Sequence, residues 1–128
     1  MMIKPSTKAK ERQRLMVELD KLFALIIKER YWWACVKCGR SKAQGYQMQC
    51  AHIKPKGKYQ RLRYELLNAI CLCANCHRVW HDESGGMEWL EELYPGRRDQ
   101  LNVMAAVAPK LDLQLLRLVL TKEVEALG

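Results

Sequence analysis

The sequence predicts an α+β fold in which helices at both ends flank a small centre of two short strands and one helix. Three observations lead to this prediction. Apolar residues recur at helical spacing near both ends, short apolar runs broken by glycine and proline occupy the middle, and two C-x-x-C pairs bracket those runs. At 128 residues the chain has the size of one domain. We divide it into an N-terminal helix (8–31), a centre (32–84) and a C-terminal helical extension (85–128).

The N-terminal residues 8–31 predict one long helix that starts near Ser6 or Thr7. Its apolar residues share one face, which we expect to pack on the core: Leu15, Leu19, Leu22, Phe23 and Ile26. The charged residues fall mostly elsewhere and are expected to be solvated. Contact with nucleic acid is the alternative for the basic residues of the first turns, Lys8, Lys10, Arg12 and Arg14.

The centre changes to a shorter-ranged pattern. Residues 47–53 and 69–72 predict two strands, both too short to form a sheet without support. A hairpin braced by another part of the chain is therefore expected. A helix follows over residues 75–82, and it places His77 and His81 one turn apart on the same face. Two histidines in this arrangement indicate a metal site.

The C-terminal part returns to helical patterns. Helices are predicted over 87–94 and 98–107, and a last helix follows Pro109. In the last helix five apolar residues form one stripe: Leu113, Leu116, Leu120, Val124 and Leu127. We interpret the stripe as a core face, with a homodimer through the C-terminal helices as the alternative, because both use this periodicity.

Two matched cysteine pairs, Cys35 with Cys38 and Cys73 with Cys76, are typical of a structural zinc site. Each pair places two thiolates on one tight turn, and together they supply four sulfur ligands. Redox activity at one pair, or simple burial of the cysteines, are the alternatives. Two further predictions concern residues that fill the core. Cys50 and Cys71 are expected to be buried thiols, and the four tryptophans are expected to fill the core around the zinc: Trp32, Trp33, Trp80 and Trp89.

The formal net charge is +8, from 22 Lys and Arg against 14 Asp and Glu. Such an excess favours an anionic partner such as nucleic acid. The chain begins without the apolar segment of a secretory signal and has no run long enough to span a bilayer. We therefore expect a cytoplasmic protein with no membrane partner.

Basic residues cluster in the loop between the two predicted strands. The predicted phosphate-binding residues are those of this loop together with one arginine of the following helix: Lys54, Lys56, Lys58, Arg61, Arg63 and Arg78. Such contacts hold a nucleic-acid backbone without reading its sequence. A solvated loop is the alternative, and salt-dependent binding distinguishes the two.

The motif residues occur in a fixed order along the chain. Cys35-x-x-Cys38-Gly39 is followed by Cys50-Ala51-His52-Ile53, Leu67-Asn68-Ala69, and Leu72-Cys73-Ala74-Asn75-Cys76-His77, with His81 four residues later. This pattern, over about residues 35–82, resembles the zinc-supported HNH endonucleases. Residues 62–69 with the following C-x-x-C-H are also similar to phage and prophage HNH proteins, including NinG-type recombination nucleases.

The resemblance implies a ββα-metal (HNH) core with assigned roles. His52 would be the general base, Asn68 would fix the loop that carries it, and His77 and His81 would bind a catalytic divalent metal ion. A histidine suits the role of base because its ordinary pKa of about 6.5 leaves it neutral near pH 7. Paired imidazoles suit Zn²⁺ or Ni²⁺, whereas Mg²⁺ and Mn²⁺ prefer oxygen, so all four ions stay open.

One position departs from the family. The residue before the base is usually a metal-binding Asp or His, and here it is Ala51. Either waters and DNA phosphates complete the metal site, or a neighbour such as Cys50, Asp82 or Glu83 does. We therefore expect a metal-dependent DNA endonuclease of phage or prophage type that acts in recombination, packaging or restriction in the host cytoplasm. The alternative is a non-catalytic, zinc-stapled DNA-binding module.

Overall fold

The computed structural model describes residues 7–82 and 86–128, with positions 81 and 82 described by their backbone alone. Over these residues the chain forms five α-helices and one two-stranded antiparallel sheet. In chain order the elements are α1 (Thr7–Arg30), β1 (Met48–His52), β2 (Ala69–Cys73), α2 (Ala74–Asp82), α3 (Gly86–Leu93), α4 (Arg97–Val107) and α5 (Leu113–Ala126). The predicted α+β class is confirmed, with helices on both sides of a small central hairpin.

Helix α1 matches its predicted range to within one residue. Its residues are mostly good helix formers, and its apolar face gives it a surface to bury. Leu19, Phe23, Ile26 and Ile27 are buried on that face, whereas the basic residues of the first turns are exposed. Ser6, the other predicted start, lies outside the described residues.

The chain reverses directly after α1 through two residues with left-handed backbone. Trp32 has φ 61° and Trp33 has φ 54°, and the amide of Trp33 donates to the Lys28 carbonyl oxygen at 2.9 Å. This turn directs the Trp32 side chain outward, where it is 87% exposed. The prediction that all four tryptophans fill the core is therefore wrong for Trp32. Trp80 is buried, and Trp33 and Trp89 pack partly buried against the core.

The two strands pair in one antiparallel register. Cys50 lies opposite Cys71 and His52 lies opposite Ala69, while Ala51 lies opposite Ile70 on the other face. Because side chains alternate along a strand, the hairpin presents one face to α1 and the other to α2. The prediction that another part of the chain supports the hairpin is therefore confirmed, because one helix packs on each face of the two five-residue strands.

Two groups of buried residues lie on the two sides of the hairpin. On one side, Ala51 and Ile70 pack with Trp80 of α2, Leu90 of α3 and Leu101 of α4. On the other side, Ala69 packs with residues of α1 and α5. The hairpin is thus buried on both faces, which lets two short strands persist although an isolated pair of this length is marginal in water.

The apolar stripe of helix α5 packs against α1 of the same chain. Leu113 and Leu120 are buried against α1, and Leu116 and Val124 are partly buried there. The core-face interpretation is confirmed for these four residues, whereas Leu127 follows the helix and is 42% exposed. A homodimer through the C-terminal helices stays a prediction.

Replacement of Leu120 by alanine should destabilise the chain. The side chain is only 4% exposed between α5 and α1, so truncation leaves a cavity that costs about 2 to 5 kcal/mol in the free energy of unfolding. Urea denaturation followed by circular dichroism measures this loss. Leu118→Ala on the same helix is the matched control, because Leu118 is 62% exposed, and it should cost under about 0.5 kcal/mol. Equal losses for the two variants would contradict the packing of α5 on α1.

Candidate functional site

Four cysteines converge where the turn after α1 meets the junction of β2 and α2. The ligand sulfurs of Cys35, Cys38, Cys73 and Cys76 all lie within 4.8 Å of one another, and the Sγ atoms of Cys38 and Cys73 are 3.7 Å apart. Tetrahedral zinc with Zn–S bonds of about 2.3 Å needs sulfur separations of about 3.8 Å. The cluster therefore fits a four-coordinate metal ion, and its all-sulfur donor set favours zinc.

The backbone around each cysteine pair supports charged sulfur. The amide of Cys38 lies 3.5 Å from the Cys35 sulfur, and the amide of Cys76 lies 3.5 Å from the Cys73 sulfur. Burial opposes ionisation of Cys35, yet hydrogen bonds from backbone groups outweigh it and lower the pKa of this thiol to about 7, whereas burial raises the pKa of Cys38 and of Cys76. Thiolate is the form that binds metal. Four protein ligands leave no position for water, so such a site is structural.

The other two cysteines lie outside this cluster. Cys71 is fully buried, and Cys50 is half-buried opposite it on β1. Burial raises the pKa of Cys71 to about 11 and that of Cys50 to about 12. Both thiols therefore stay protonated near neutral pH, as expected for small apolar residues.

His52 ends β1, and two contacts fix its imidazole. Its Nε2 lies 2.8 Å from the backbone carbonyl oxygen of Arg63, and its ring lies 5.7 Å from the ring of Phe23 on α1. A carbonyl oxygen can only accept, so Nε2 carries the hydrogen. In the neutral ring, Nδ1 is then the nitrogen with the lone pair.

The surroundings of His52 favour the neutral ring. Burial lowers the pKa of the imidazole below its ordinary 6.5, and the positive charges of Lys56 and Arg63 act in the same direction. The hydrogen bond to the Arg63 carbonyl and the charge of Asp20 act against this shift without cancelling it. His52 is therefore able to accept a proton near pH 7.

Asn68 is fully buried and holds both ends of the loop between the strands. Its Oδ1 accepts from the Lys54 amide at 2.7 Å, and its Nδ2 donates to the carbonyl oxygens of Lys54 and Leu62, both at 3.1 Å. A buried amide with three such bonds is costly to replace, since each lost partner leaves an unsatisfied backbone group. The loop that follows His52 is thereby fixed from inside the fold.

His77 lies on α2, where its Nδ1 is 2.7 Å from Oε1 of Gln49 on β1. This contact orients the imidazole in the way that outer partners orient metal-binding histidines. His81 lies one turn further along α2, and its side chain is outside the described residues. The side chain of Asp82 and the whole of Glu83, two of the neighbours suggested for a third metal ligand, also lie outside the described part of the chain.

A groove with a volume of about 340 Å³ runs along β1 beside α1. Both His52 and Gln49, the partner of His77, line this groove, whereas His77 is not among its lining residues. Because side chains alternate along β1, His52 faces α1 whereas Gln49 and its partner His77 lie towards α2, so the base candidate and this metal candidate occupy different faces of the hairpin. Three lysines also line it, Lys21 and Lys28 from α1 and Lys56 from the loop.

The six predicted phosphate-binding residues do not lie together at one site. Lys56 lines the groove, whereas the Lys54 and Lys58 ammonium groups lie 5.2 and 5.8 Å from the centre of the Tyr59 ring. Arg61 and Arg78 are both exposed. The first donates to the Ala108 carbonyl oxygen and the second to the Asn75 side chain, both at 3.0 Å.

Arg63 differs from the other five because its guanidinium is held by a carboxylate. It forms a salt bridge with Asp20 of α1 at 2.6 Å. The sequence interpretation missed Asp20, as it missed Gln49, Phe23 and Tyr64. The one available signal was that Asp20 precedes Phe23 by three residues and so shares its helix face.

Residues 35–83 match the model of the HNH endonuclease family. The matched range begins at the first cysteine of the cluster and contains the hairpin and α2. No curated protein and no solved structure matched the chain. Over this range the chain is therefore similar to HNH endonucleases, and the match, together with the four-cysteine cluster and its flanking helices, supports a nuclease in general.

No helix in the described ranges has the length and apolar character that a bilayer crossing requires.

Replacement of Cys35 by serine should remove the structural metal. Wild-type protein dialysed against metal-free buffer should keep about one zinc ion per chain, and Cys35→Ser should keep far less and lose stability in the centre. Metal analysis and thermal unfolding measure the two effects. Cys50→Ser is the matched control, because Cys50 lies outside the cluster. A folded wild-type chain without zinc, or a Cys35→Ser variant that keeps it, would refute the site.

Proposed function

We propose that this chain is a metal-dependent DNA endonuclease in which His52 is the general base for phosphodiester hydrolysis. The observation that carries the proposal is the hydrogen bond from His52 Nε2 to the Arg63 carbonyl oxygen, at 2.8 Å within the matched HNH domain. This bond presents Nδ1 as the proton acceptor, and burial keeps the ring neutral.

His52 takes one proton from water as the water oxygen attacks phosphorus. A new P–O bond forms, the bond to the leaving oxygen breaks, and the leaving oxygen takes a proton from solvent. Asn68 keeps the loop in place, so the ring does not move away from the phosphate during attack. Base catalysis of this type contributes about 10²- to 10⁴-fold to a rate.

His77 and His81 are the residues that would hold the catalytic ion. They lie one turn apart on α2, and Gln49 orients the first of them. A divalent ion bound there would stabilise negative charge on the phosphate and the leaving oxygen. Ala51 is fully buried and offers no ligand, so oxygen atoms from water or DNA would complete the coordination of Mg²⁺, Mn²⁺, Ni²⁺ or Zn²⁺.

The groove beside β1 is the proposed path of the cleaved strand. Lys21, Lys28 and Lys56 line it together with His52 and the arginine-paired carboxylate of Asp20, and the excess of positive charge suits the DNA backbone. Contacts of this kind carry little sequence information. The enzyme would therefore recognise a DNA structure more than a sequence, as suits a phage or prophage nuclease of recombination, packaging or restriction in the host cytoplasm.

His52→Ala should abolish most cleavage without loss of DNA binding. In a plasmid-nicking assay with Mg²⁺, Mn²⁺, Ni²⁺ or Zn²⁺, the cleavage rate should fall about 10²- to 10⁴-fold, while fluorescence anisotropy on a short duplex changes little. Gln60→Ala, an exposed residue of the same loop, is the control and should cleave as the parent does.

Two results would argue against the enzyme. Equal cleavage by the parent and His52→Ala would remove His52 from the reaction. Absence of cleavage by the parent with every metal, together with intact DNA binding, would favour the non-catalytic DNA-binding module, for which the missing ligand at Ala51 is the supporting observation.

The pH dependence of cleavage should reflect the neutral form of His52. Because burial lowers the pKa of this ring below 6.5, the rate should fall to half of its plateau only at a pH below 6.5. A profile of kcat/KM between pH 4.5 and 8 measures the inflection of the free enzyme. An acid inflection above pH 6.5 would contradict a buried, neutral base.

A further inference from the structure

The Asp20 carboxylate on α1 lies at the centre of three short hydrogen bonds. Arg63 donates from Nε at 2.9 Å and from a terminal nitrogen at 2.6 Å, and the Tyr64 hydroxyl donates at 2.9 Å. The arginine thus binds both carboxylate oxygens, a geometry that fixes direction as well as distance. The side chains of Arg63 and Asp20 are 17% and 30% exposed, so water competes less than at a surface pair.

These contacts fix the same residue that holds His52. The backbone carbonyl oxygen of Arg63 accepts from His52 Nε2 at 2.8 Å, while the side chain of Arg63 is bound by Asp20. Phe23, one helical turn after Asp20, lies against the His52 ring at 5.7 Å and meets the Tyr64 ring edge-on at 5.8 Å. Helix α1 therefore contacts the imidazole directly through Phe23. Through Asp20 it also holds Arg63, whose carbonyl oxygen accepts the hydrogen bond of the imidazole, and the next residue, Tyr64.

The loop is held from two sides at consecutive residues. Asn68 binds the Leu62 carbonyl oxygen from inside the fold, and Asp20 binds Arg63 and Tyr64 from α1. Between His52 and this point the chain includes the exposed residues 55–58, which give little support. These two attachments act together with the backbone hydrogen bonds from the Arg63 amide to Gln60 and from the Glu65 amide to Leu62 in setting the direction of the Arg63 carbonyl.

We propose that Asp20 is a positioning residue for the general base, which it orients through Arg63 and Tyr64. Helix α1 is then part of the active site, although the HNH match begins at residue 35. The Arg63 carbonyl oxygen binds the base, and the salt bridge with Asp20 holds Arg63 in place. This inference rests on the proposed function of His52.

Asp20 is charged under the conditions of the reaction. Burial alone would raise its pKa, but the hydrogen bonds from Arg63 and Tyr64 outweigh burial and hold the pKa of the carboxyl below its usual value. The charge acts on His52 as well, since Asp20 raises the imidazole pKa while Lys56 and Arg63 lower it. Removal of the Asp20 charge should therefore move the acid limb of the rate profile to lower pH.

The test compares Asp20→Asn with Glu18→Gln on the same helix. Glu18 also pairs with an arginine, Arg117 at 3.3 Å, but both side chains are about half exposed and lie on α1 and α5. Asp20→Asn should lower kcat about 10- to 100-fold without raising KM, since it removes a negative charge from the groove, and should shift the acid inflection downward. Glu18→Gln should match the parent in all three measurements. Asp20→Glu, which keeps the charge, should recover part of kcat.

Protein folding is checked on the same samples through zinc content and circular dichroism. Tyr64→Phe is the milder variant if Asp20→Asn does not fold, because it removes one donor from Asp20 and keeps the ring against Phe23. It should also lower kcat at unchanged KM. Parental kcat and pH profile in a folded Asp20→Asn, or parental kcat in Tyr64→Phe where Asp20→Asn is unfolded, would overturn the proposal.

The failure of this inference differs from a failure of the proposed function. If His52→Ala cleaves as the parent does, the base assignment itself falls. If His52→Ala is inactive while a folded Asp20→Asn is fully active, the base stands and Asp20 has no part in positioning it.

Discussion

Four cysteine sulfurs hold the turn after α1 against the junction of β2 and α2, and the centre of the molecule depends on this attachment. The hairpin between the two pairs consists of two five-residue strands, too short to persist alone. The cluster closes the chain from Cys38 to Cys73 and sets where α2 begins relative to the hairpin. Metal binding at such a cluster supplies folding free energy directly. Helices α1 and α2 can then cover the two faces of the hairpin.

The proposed chemistry uses the part of the hairpin that this arrangement leaves accessible. His52 ends β1, where the strand opens into a basic loop, and its ring is half-buried beside a groove. Inside the fold, Asn68 ties the loop to the start of β2. From outside the matched domain, Asp20 ties the same loop to α1. Two attachments therefore hold the basic loop beside the groove although much of the loop is exposed.

Local patterns predicted most of the fold and the metal cluster, because spacing alone places two C-x-x-C turns and short apolar runs bounded by glycine and proline indicate two strands. They did not reveal Asp20, since its contact with Arg63 spans 43 residues, and an acid on an amphipathic helix looks solvated by default. Trp32 was misplaced because its exposure follows from left-handed backbone after α1, which aromatic residues rarely adopt. The stripe on α5 was correctly identified as apolar, but its periodicity could not show whether it packs against α1 or against a second chain.

In the proposed function one metal ion would hold this fold and a second would support cleavage, so chelation should separate them. The decisive measurement follows zinc content and plasmid nicking on one sample, after brief EDTA treatment and again after a divalent ion is added back. Nicking should disappear while about one zinc ion per chain and the helical circular dichroism signal remain, and it should return with the added ion. Nicking that falls and recovers in proportion to the cysteine-bound zinc would contradict two separate metal roles.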